Sequence, residues 1–273
     1  MNITDRSFRL RADGRRGVLM IHGLTGAPGE MKFQAKRLHR QGFDIYAPQL
    51  AGHGGDRSVL LRTTWRDWLG SVVAAYDAFA REVDEVHVAG VCVGGALGLA
   101  LSTLRPAIKS AVVYSMTFEY DGWNMQGWMR GAYAIQLVAN LPGVRRISFE
   151  EPYPFGVKDE RLRERIARAG VIDGSLDRLP FGALFQMYRL GRHIERIGGE
   201  VQVPCLILHA REDDMSHPRN AHRLARAVAG PARVRLLDDS YHMIHVDRER
   251  DLVAELTADF FAAHTATKAL AHA

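Results

Sequence analysis

Short runs of apolar residues alternate with segments of helical periodicity through the first 116 residues and again after residue 199. The apolar runs are short enough to be strands buried on both faces of a sheet. They lie at residues 17–21, 43–48, 86–90, 111–115, 205–209 and 234–237. The segments between them repeat apolar residues every three or four positions, at residues 29–41, 65–82, 94–101, 218–229 and 248–263. This alternation predicts an α/β fold with a mostly parallel central sheet and helices on both faces.

The alternation stops between residues 117 and 198, where no apolar strand is evident and four prolines separate helix-like segments. They are Pro142, Pro152, Pro154 and Pro180. Because proline ends or kinks a helix, we expect several short helices here rather than a continuation of the sheet. The pattern therefore predicts an α/β core made of residues 1–116 and 199–273 and an inserted helical lid at residues 117–198.

The predicted lid is rich in aromatic residues and methionines, which suit a cavity for an apolar acyl or aromatic group. The substrate-binding candidates are Trp123, Met125 and Trp128. The alternative is that these side chains only pack the lid against the sheet. An inserted lid of this kind often controls which substrates reach the site.

Charge and hydropathy argue against two classes of protein, nucleic-acid-binding proteins and membrane-spanning proteins. The net charge is +5, but basic residues are interspersed with acidic ones, as in residues 161–165 and 247–250, and form no basic block with aromatic residues. A nucleic-acid-binding surface is therefore not predicted. No apolar run approaches the roughly 20 residues that span a bilayer. The N-terminal residues contain no apolar stretch of the kind found in signal peptides, so we expect a cytoplasmic protein.

One short motif carries chemistry: Gly90-Val-Cys92-Val-Gly94-Gly95 directly follows a predicted strand and opens a predicted helix. This is the context of a nucleophile elbow, a tight turn that lifts a reactive side chain clear of the sheet. Glycines are needed on both sides because a Cβ atom there would collide with the neighbouring strand and helix. The helix N-terminus favours an anion, here a thiolate. The alternative is a glycine-rich turn with a packed cysteine, which is the role expected for Cys205 in its apolar run.

The chain resembles the α/β-hydrolase family, and within it the bacterial carboxylesterase and monoacylglycerol-lipase-like branch. The matching stretches are residues 19–26, residues 46–54, the elbow and two later motifs. The similarity covers residues 17–116 and 200–262 and leaves the lid uncovered. Cys92 departs from this branch, which normally has serine there. A cysteine elbow of the form G-x-C-x-G-G also resembles those of dienelactone hydrolases and polyhydroxyalkanoate synthases, which share the fold.

The resemblance implies a catalytic triad in the chain order nucleophile, acid, histidine. After a late strand, the family pattern A-R-x-D selects Asp213 as the acid. Its neighbours Glu212 and Asp214 are alternative candidates for the acid, but a solvated acidic loop is the better interpretation for both. After the last strand, the family pattern S-x-H selects His242 as the base. His245, one helical turn later, is expected to pack or to face solvent.

The resemblance also implies an oxyanion hole built from two backbone N–H groups. One belongs to Val93, directly after the nucleophile, and the other to Leu24, in the loop after the first predicted strand. We expect the pair His22-Gly23 to shape this loop, and we expect His53 to be structural.

Together these residues predict acyl transfer through Cys92, with hydrolysis of carboxylic esters or thioesters of an apolar acyl group as the leading function. An acyltransferase is the alternative, because an acyl-cysteine is a thioester of nearly the same energy as an acyl-CoA or acyl-carrier-protein donor. A non-catalytic ligand receptor is a third hypothesis, against which the intact Asp213 and His242 argue. The sequence leaves open whether Cys92 is native or an engineered replacement of serine.

A small acyl substrate is the expected partner, with acyl-CoA or acyl carrier protein as further candidates. Arginines near the lid could contact the phosphate of such a carrier, although a solvated basic face is the plainer interpretation. These are Arg145, Arg146, Arg161 and Arg163. No nucleotide or flavin motif is present in the sequence. The H-x-x-H spacing of His242 and His245 lacks a zincin motif and a third ligand cluster, so we expect no metal and no other cofactor.

Overall fold

A seven-stranded sheet forms the centre of the protein in the computed structural model, which describes residues 4–54, 56–125, 142–150, 152–169, 176 and 178–265. The described strands are β1 (Phe8–Leu10), β2 (Arg16–Ile21), β3 (Asp44–Ala47), β4 (Glu85–Val91), β5 (Ala111–Tyr114), β6 (Ser148–Glu150), β7 (Arg178–Pro180), β8 (Cys205–Ala210) and β9 (Ala232–Leu237). The central sheet has the order β1-β3-β2-β4-β5-β8-β9. β1 pairs antiparallel with β3, and the other neighbours pair in parallel.

Helices connect the parallel strands, because parallel pairing requires long crossover connections. The described α-helices are α1 (Lys32–His39), α2 (Arg57–Leu60), α3 (Trp65–Phe79), α4 (Val93–Leu104), α5 (Pro142–Arg146), α6 (Glu160–Ala169), α7 (Phe181–Ile197), α8 (Arg219–Ala227) and α9 (Arg250–Ala263). Short 3₁₀ helices lie at Pro28–Met31 and Gly198–Glu200. None of the helices in the described ranges combines the length and apolarity needed to cross a membrane.

Packing around the sheet agrees with the predicted layers. Helices α3, α4 and α7 pack against one another, and α1 packs against α9. All seven residues of β4 are buried, so the sheet is covered on both faces at its centre. The apolar stripe of α3 faces this core, with Trp68 and Val72 fully buried. Its N-terminus is fixed by a capping box between Thr64 and Asp67.

The parallel register brings several loops together at the carboxyl edge of the sheet. Ile21 of β2 lies opposite Gly90 of β4, and Val91 of β4 lies opposite Tyr114 of β5. Tyr114 also lies opposite Leu208 of β8. The loops that follow β2, β4, β5 and β8 therefore leave the sheet side by side. This edge is where α/β proteins usually bind their ligands.

Two features of the fold differ from the sequence-based expectation. The edge strand β1 was not predicted, because three half-buried residues are too few to show a period. The expectation that residues 117–198 contain no strand was wrong, since β6 and β7 form a separate two-stranded antiparallel sheet. Each of these strands has only three residues. Helices α5, α6 and α7 lie in the same stretch, as the helix-like segments predicted.

Candidate active site

Cys92 lies at the junction of β4 and α4, as the motif predicts. Its backbone has φ 51° and ψ −111°, a left-handed conformation that costs about 1–3 kcal/mol for a residue with a Cβ atom. The Cys92 N–H donates to the Tyr114 carbonyl at 2.8 Å, and the Cys92 carbonyl accepts from the Ala96 N–H at 3.1 Å. The strained turn is therefore held by the neighbouring strand and by the first turn of α4.

The glycines around Cys92 are required for steric reasons. A Cβ atom on Gly90 would overlap the backbone of Gly94, and a Cβ atom on Gly94 would overlap the carbonyl oxygens of Ile21 and His22. The turn can lie against the end of β2 only because both positions lack a side chain. This confirms the steric argument made from the motif.

The side chains of Cys92, His242 and Asp213 lie next to one another. The interaction with Cys92 is one of the contributions that raise the pKa of His242. His242 Nδ1 lies 2.9 Å from Oδ2 and 3.1 Å from Oδ1 of Asp213. Because an ionised carboxylate only accepts hydrogen bonds, Nδ1 carries the proton of this contact, and Nε2 is left to face Cys92. Both His242 and Asp213 are buried, so water competes little with these bonds.

Opposing effects set the protonation of this pair. Burial alone lowers the pKa of His242, but the charge and hydrogen bond of Asp213, together with Cys92, outweigh burial and raise this pKa well above its ordinary value. Burial raises the pKa of Asp213, and the charge of His242 outweighs it, so this pKa is lowered. The pair is therefore an imidazolium beside a carboxylate near neutral pH.

Asp213 is held by further contacts that the sequence did not reveal. Its Oδ1 accepts the N–H groups of Met215 at 2.9 Å and Ser216 at 2.7 Å. His209 Nε2 lies 3.2 Å from Asp213 Oδ2 and donates to the Ser216 carbonyl at 2.7 Å. Burial lowers the pKa of His209, so its ring is neutral. His209 was missed because it lies within the apolar run of β8, where a histidine reads as a core residue.

Only one of the two acidic neighbours of Asp213 is exposed to solvent as predicted. Glu212 is exposed, in agreement with a solvated loop. Asp214 is completely buried, so the expectation that it is solvated was wrong. Its Oδ2 accepts the Gly156 N–H at 3.1 Å, and its Oδ1 accepts the His242 N–H at 3.3 Å. Burial, together with the nearby charge of Asp213, raises the pKa of Asp214 to about 7.

His22 orients a backbone N–H in the loop after β2. The His22 Nε2 accepts the Leu50 N–H at 3.1 Å, so Nδ1 carries the ring proton and donates to the Gly23 carbonyl at 3.0 Å. Burial lowers the pKa of His22 to about 3, which keeps the ring neutral. The Gly23 carbonyl and the Leu24 N–H belong to one planar trans peptide. Fixing the carbonyl therefore directs the Leu24 N–H the opposite way.

Glu30 holds the same loop from the other side. Its buried carboxylate accepts a hydrogen bond from the Gly23 N–H. A Cβ atom on Gly26 would overlap this carboxylate, so the glycine leaves room for it. Glu30 was missed from the sequence because an acid in the first turn of a helical segment usually faces solvent.

The N–H of Val93 is fixed by the same peptide geometry. The Cys92 carbonyl shares its peptide and is turned into the first turn of α4, so the Val93 N–H points out of the helix. A Cβ atom on Gly23 would lie 3.7 Å from the Val91 carbonyl oxygen, so the two loops are adjacent. Neither the Leu24 nor the Val93 N–H donates to an acceptor within the described ranges. Both remain candidates for the oxyanion hole.

The substrate-binding candidates fall in different environments. Trp123 is 56% exposed, its Nε1 donates to the Glu212 carbonyl at 2.9 Å, and its ring centroid lies 5.5 Å from that of Tyr241. Trp123 therefore lies next to the loop that carries His242. Met125 is buried. Trp128 lies outside the described residues.

Three side chains for which the sequence predicted no catalytic role are buried. His53 and His245 have no exposed surface, and His245 stacks on Tyr114 with ring centroids 6.3 Å apart. Burial lowers the pKa of His53 to about 4 and that of His245 to about 3. Cys205 is a packed core thiol, and burial raises its pKa to about 12. Across the part of the chain that the structure describes, no group of three or more His, Cys, Asp and Glu side chains could hold a metal ion.

The chain matches known proteins over most of its length. The family model described as serine aminopeptidase, S33, matches residues 12–249. A thermostable monoacylglycerol lipase of Bacillus sp. (strain H-257) is 25% identical over 254 residues, which cover 92% of both chains. A carboxylesterase of Bacillus subtilis (strain 168) is 24% identical over 262 residues, covering 94% of this chain and 96% of the carboxylesterase.

A solved structure gives the same picture of the fold. The crystal structure of the Paleococcus ferrophilus monoacylglycerol lipase matches with a TM-score of 0.78 at 17% sequence identity. The match covers 96% of this chain and 99% of the lipase. The α/β-hydrolase fold predicted from the sequence is thereby confirmed.

Proposed function

Because this chain belongs to the α/β-hydrolase family described as serine aminopeptidase, S33, we propose that it hydrolyses carboxylic esters or thioesters of an apolar acyl group through a covalent intermediate on Cys92. The observation that carries the proposal is the hydrogen bond of His242 to Asp213 next to Cys92 at the elbow. The similarity to a monoacylglycerol lipase and a carboxylesterase supports an ester of a fatty acyl group as the substrate.

In the first half-reaction, the Cys92 thiolate attacks the carbonyl carbon of the ester. The new C–S bond moves the π electrons onto the carbonyl oxygen, where the N–H groups of Leu24 and Val93 stabilise the oxyanion. When this intermediate collapses, the C–O bond to the alcohol breaks and His242 gives its proton to the leaving oxygen. The alcohol departs, and the acyl group remains as a thioester on Cys92.

In the second half-reaction, neutral His242 takes a proton from a water molecule that attacks the thioester carbonyl. A second oxyanion forms in the same hole and collapses with cleavage of the C–S bond. The carboxylic acid leaves, and Cys92 returns to its thiolate beside the protonated His242. Asp213 holds the ring tautomer and stabilises the imidazolium in both halves.

We propose that residues 117–198 act as the lid and cover the acyl group, with Trp123, Met125 and Trp128 as its contacts. Two methionines next to the base support an apolar acyl site. A Cβ atom on Gly156 would lie 3.0 Å from Met243 Cγ, 3.2 Å from His242 Cβ and 3.4 Å from Met215 Cε. The methionine side chains thus flank His242 and offer a flexible apolar wall.

A second candidate function is acyl transfer to an acceptor other than water, and Cys92 is the observation that favours it. Serine would form an oxyester, whereas cysteine forms a thioester. Exchange of an acyl group between Cys92 and an acyl-CoA or acyl carrier protein is then nearly balanced in energy. Onward transfer to an alcohol or amine is favourable. The acceptor decides between the two functions.

The test is steady-state turnover of p-nitrophenyl esters of short and medium chain length and of an acyl-CoA, with identification of the acyl product. Wild type is compared with Cys92→Ala, Cys92→Ser and the matched control Cys205→Ala, which removes the other cysteine. We expect Cys92→Ala to lose at least about 10⁴-fold in kcat, and we expect Cys205→Ala to retain activity.

Release of the free carboxylic acid by wild type supports the hydrolase. Acylation of an added alcohol or amine at the expense of the free acid supports the transferase. Turnover by Cys92→Ser without turnover by wild type would show that cysteine replaces a catalytic serine. Equal turnover by wild type and Cys92→Ala would contradict the proposed mechanism.

A further inference from the structure

Part of the inserted region is fastened to the loop that carries the base. We call residues 155–159 the strap and residues 240–247 the histidine loop. The Met243 N–H donates to the Gly156 carbonyl at 2.7 Å. The buried carboxylate of Asp247 accepts the N–H groups of Lys158 and Asp159, each at 2.8 Å, and that of Tyr241 at 2.7 Å. The strap and the histidine loop are therefore joined by several hydrogen bonds, one between backbone groups and two to the carboxylate of Asp247.

Asp214 makes the contact that involves the base itself. Its carboxylate bridges the Gly156 N–H in the strap and the His242 N–H in the histidine loop. The His242 carbonyl accepts a hydrogen bond from Ser115 Oγ at 2.6 Å, and its ring is held by Asp213. Asp214 thus completes the set of contacts that fixes the backbone and ring of His242.

We propose that Asp214 is a positioning residue, whose charged carboxylate fixes the base His242 and joins the histidine loop to the strap. The proposal rests on the function proposed above. A buried carboxylate that accepts two backbone N–H groups is costly to replace, because either N–H would lose its partner away from water. Displacement of the strap would also be transmitted to His242 through the same carboxylate.

The charge of Asp214 has a consequence for the cysteine chemistry. A second carboxylate beside His242 stabilises the imidazolium, and with it the ion pair between His242 and Cys92 that the proposed mechanism requires. A serine nucleophile needs a neutral imidazole as its base, whereas a cysteine nucleophile works from the ion pair. Since the pKa of Asp214 is raised to about 7, its charge is present above neutral pH and absent well below it.

Other charged or titratable groups near Asp214 lie on β8, on the strap, on the loop at residues 121–125 and on the histidine loop. Asp213 lies beside it in the chain, and His209 at the end of β8 contacts Asp213. In the strap, the Lys158 ammonium pairs with Glu212 at 2.7 Å and with Asp239 at 3.2 Å. The loop at residues 121–125 packs on the Asp214 backbone and carries Asp121, whose carboxylate pairs with Arg219. The buried His245 lies near His242 and is neutral.

The test measures the rate at which iodoacetamide alkylates Cys92, by peptide mass spectrometry, from about pH 6 to pH 10 in the absence of substrate. Wild type is compared with Asp214→Asn, which removes the charge at constant size. The control is Glu212→Gln, which removes the charge of the exposed neighbour. At pH 6 wild type and Asp214→Asn should react at similar rates. At pH 8 Asp214→Asn should be slower by up to about tenfold, because one carboxylate at this range shifts the imidazolium equilibrium by about one unit.

A purely structural role would lower the alkylation rate of Asp214→Asn by the same factor at pH 6 and pH 8, and this result would overturn the proposal. Glu212→Gln should follow wild type at every pH. If Asp214→Asn does not fold, as judged by circular dichroism, wild type provides the test. Its rate should then show an inflection near pH 7, and a smooth profile would contradict the proposal.

The same experiment separates this inference from the proposed function. If wild-type Cys92 reacts at neutral pH no faster than a free thiol, the ion pair and the proposed mechanism both fail. If wild-type Cys92 reacts fast and Asp214→Asn has the same profile, only the role of Asp214 fails.

Discussion

Lowering the pH below 6.5 should destabilise the fold steeply, because buried histidines are held in their neutral form. Burial lowers the pKa of His22, His87 and His245 to about 3 and that of His53 to about 4. In an unfolded chain a histidine titrates near pH 6.5. Below this pH the unfolded chain binds protons that the folded protein does not bind. Stability therefore falls with pH until the folded-state pKa values, about 3 to 4, are reached.

The magnitude follows from the number of protons. Each of the four histidines lowers the stability by about 1.4 kcal/mol per pH unit in this window. Asp214 acts in the opposite direction, because its pKa of about 7 lets the folded protein keep a proton that an unfolded carboxyl releases. From these groups alone, the unfolded chain binds up to about three protons more than the folded protein, and stability falls by up to about 4 kcal/mol per pH unit. A typical domain has only about 5–15 kcal/mol in total.

Urea unfolding followed by circular dichroism at about pH 7.5, 6.5 and 5.5 measures this effect. His245→Asn should reduce the slope by about 1.4 kcal/mol per pH unit. His222→Asn, at an exposed position, should leave the slope unchanged. A change in the free energy of unfolding below about 1 kcal/mol between pH 6.5 and 5.5 would refute the reasoning, because about two of the three protons predicted to be excluded would then have to bind to the folded protein.

Two further predictions concern the elbow and the oxyanion loop. Gly94→Ala should lower the free energy of unfolding by at least about 3 kcal/mol in thermal unfolding, because its Cβ atom would overlap backbone oxygens. The control Gly70→Ala places its Cβ atom in open space and should be neutral or stabilising. Equal stability of the two variants would disprove the steric argument. His22→Leu should lower kcat by about 10²–10³-fold with little change in KM, because the Leu24 N–H loses its orientation. Unchanged ester turnover by His22→Leu, with exposed His222→Leu as the control, would remove Leu24 from the oxyanion hole.

The elbow could be predicted from sequence because its requirements are local. The turn at Cys92 needs small neighbours, and the glycines that leave this space lie within two residues of it. The buried strands were also predictable from a local signal, because a strand that is covered on both faces consists of an unbroken run of apolar residues. The short edge strand β1 has no such run.

The roles of Asp214 and His209 could not be predicted from the sequence. An acid within Arg211-Glu212-Asp213-Asp214 has the composition of an exposed loop. Its hydrogen bond to the strap, more than fifty residues earlier in the chain, is not visible in that composition. His209 lies in an apolar run, and its contact with Asp213 depends on how the chain turns after β8. Both roles depend on contacts in the folded structure, which the spacing of apolar residues in the local sequence does not indicate.

The most direct measurement of the central claim is intact-protein mass spectrometry after rapid acid quenching of wild type and Cys92→Ala with a medium-chain p-nitrophenyl ester. Wild type should gain the mass of one acyl group, located at Cys92 by peptide mapping and removed by neutral hydroxylamine, as expected for a thioester. Cys92→Ala should gain none. An adduct of equal size on Cys92→Ala, or an adduct on wild type at another residue, would contradict the claim that Cys92 is the nucleophile.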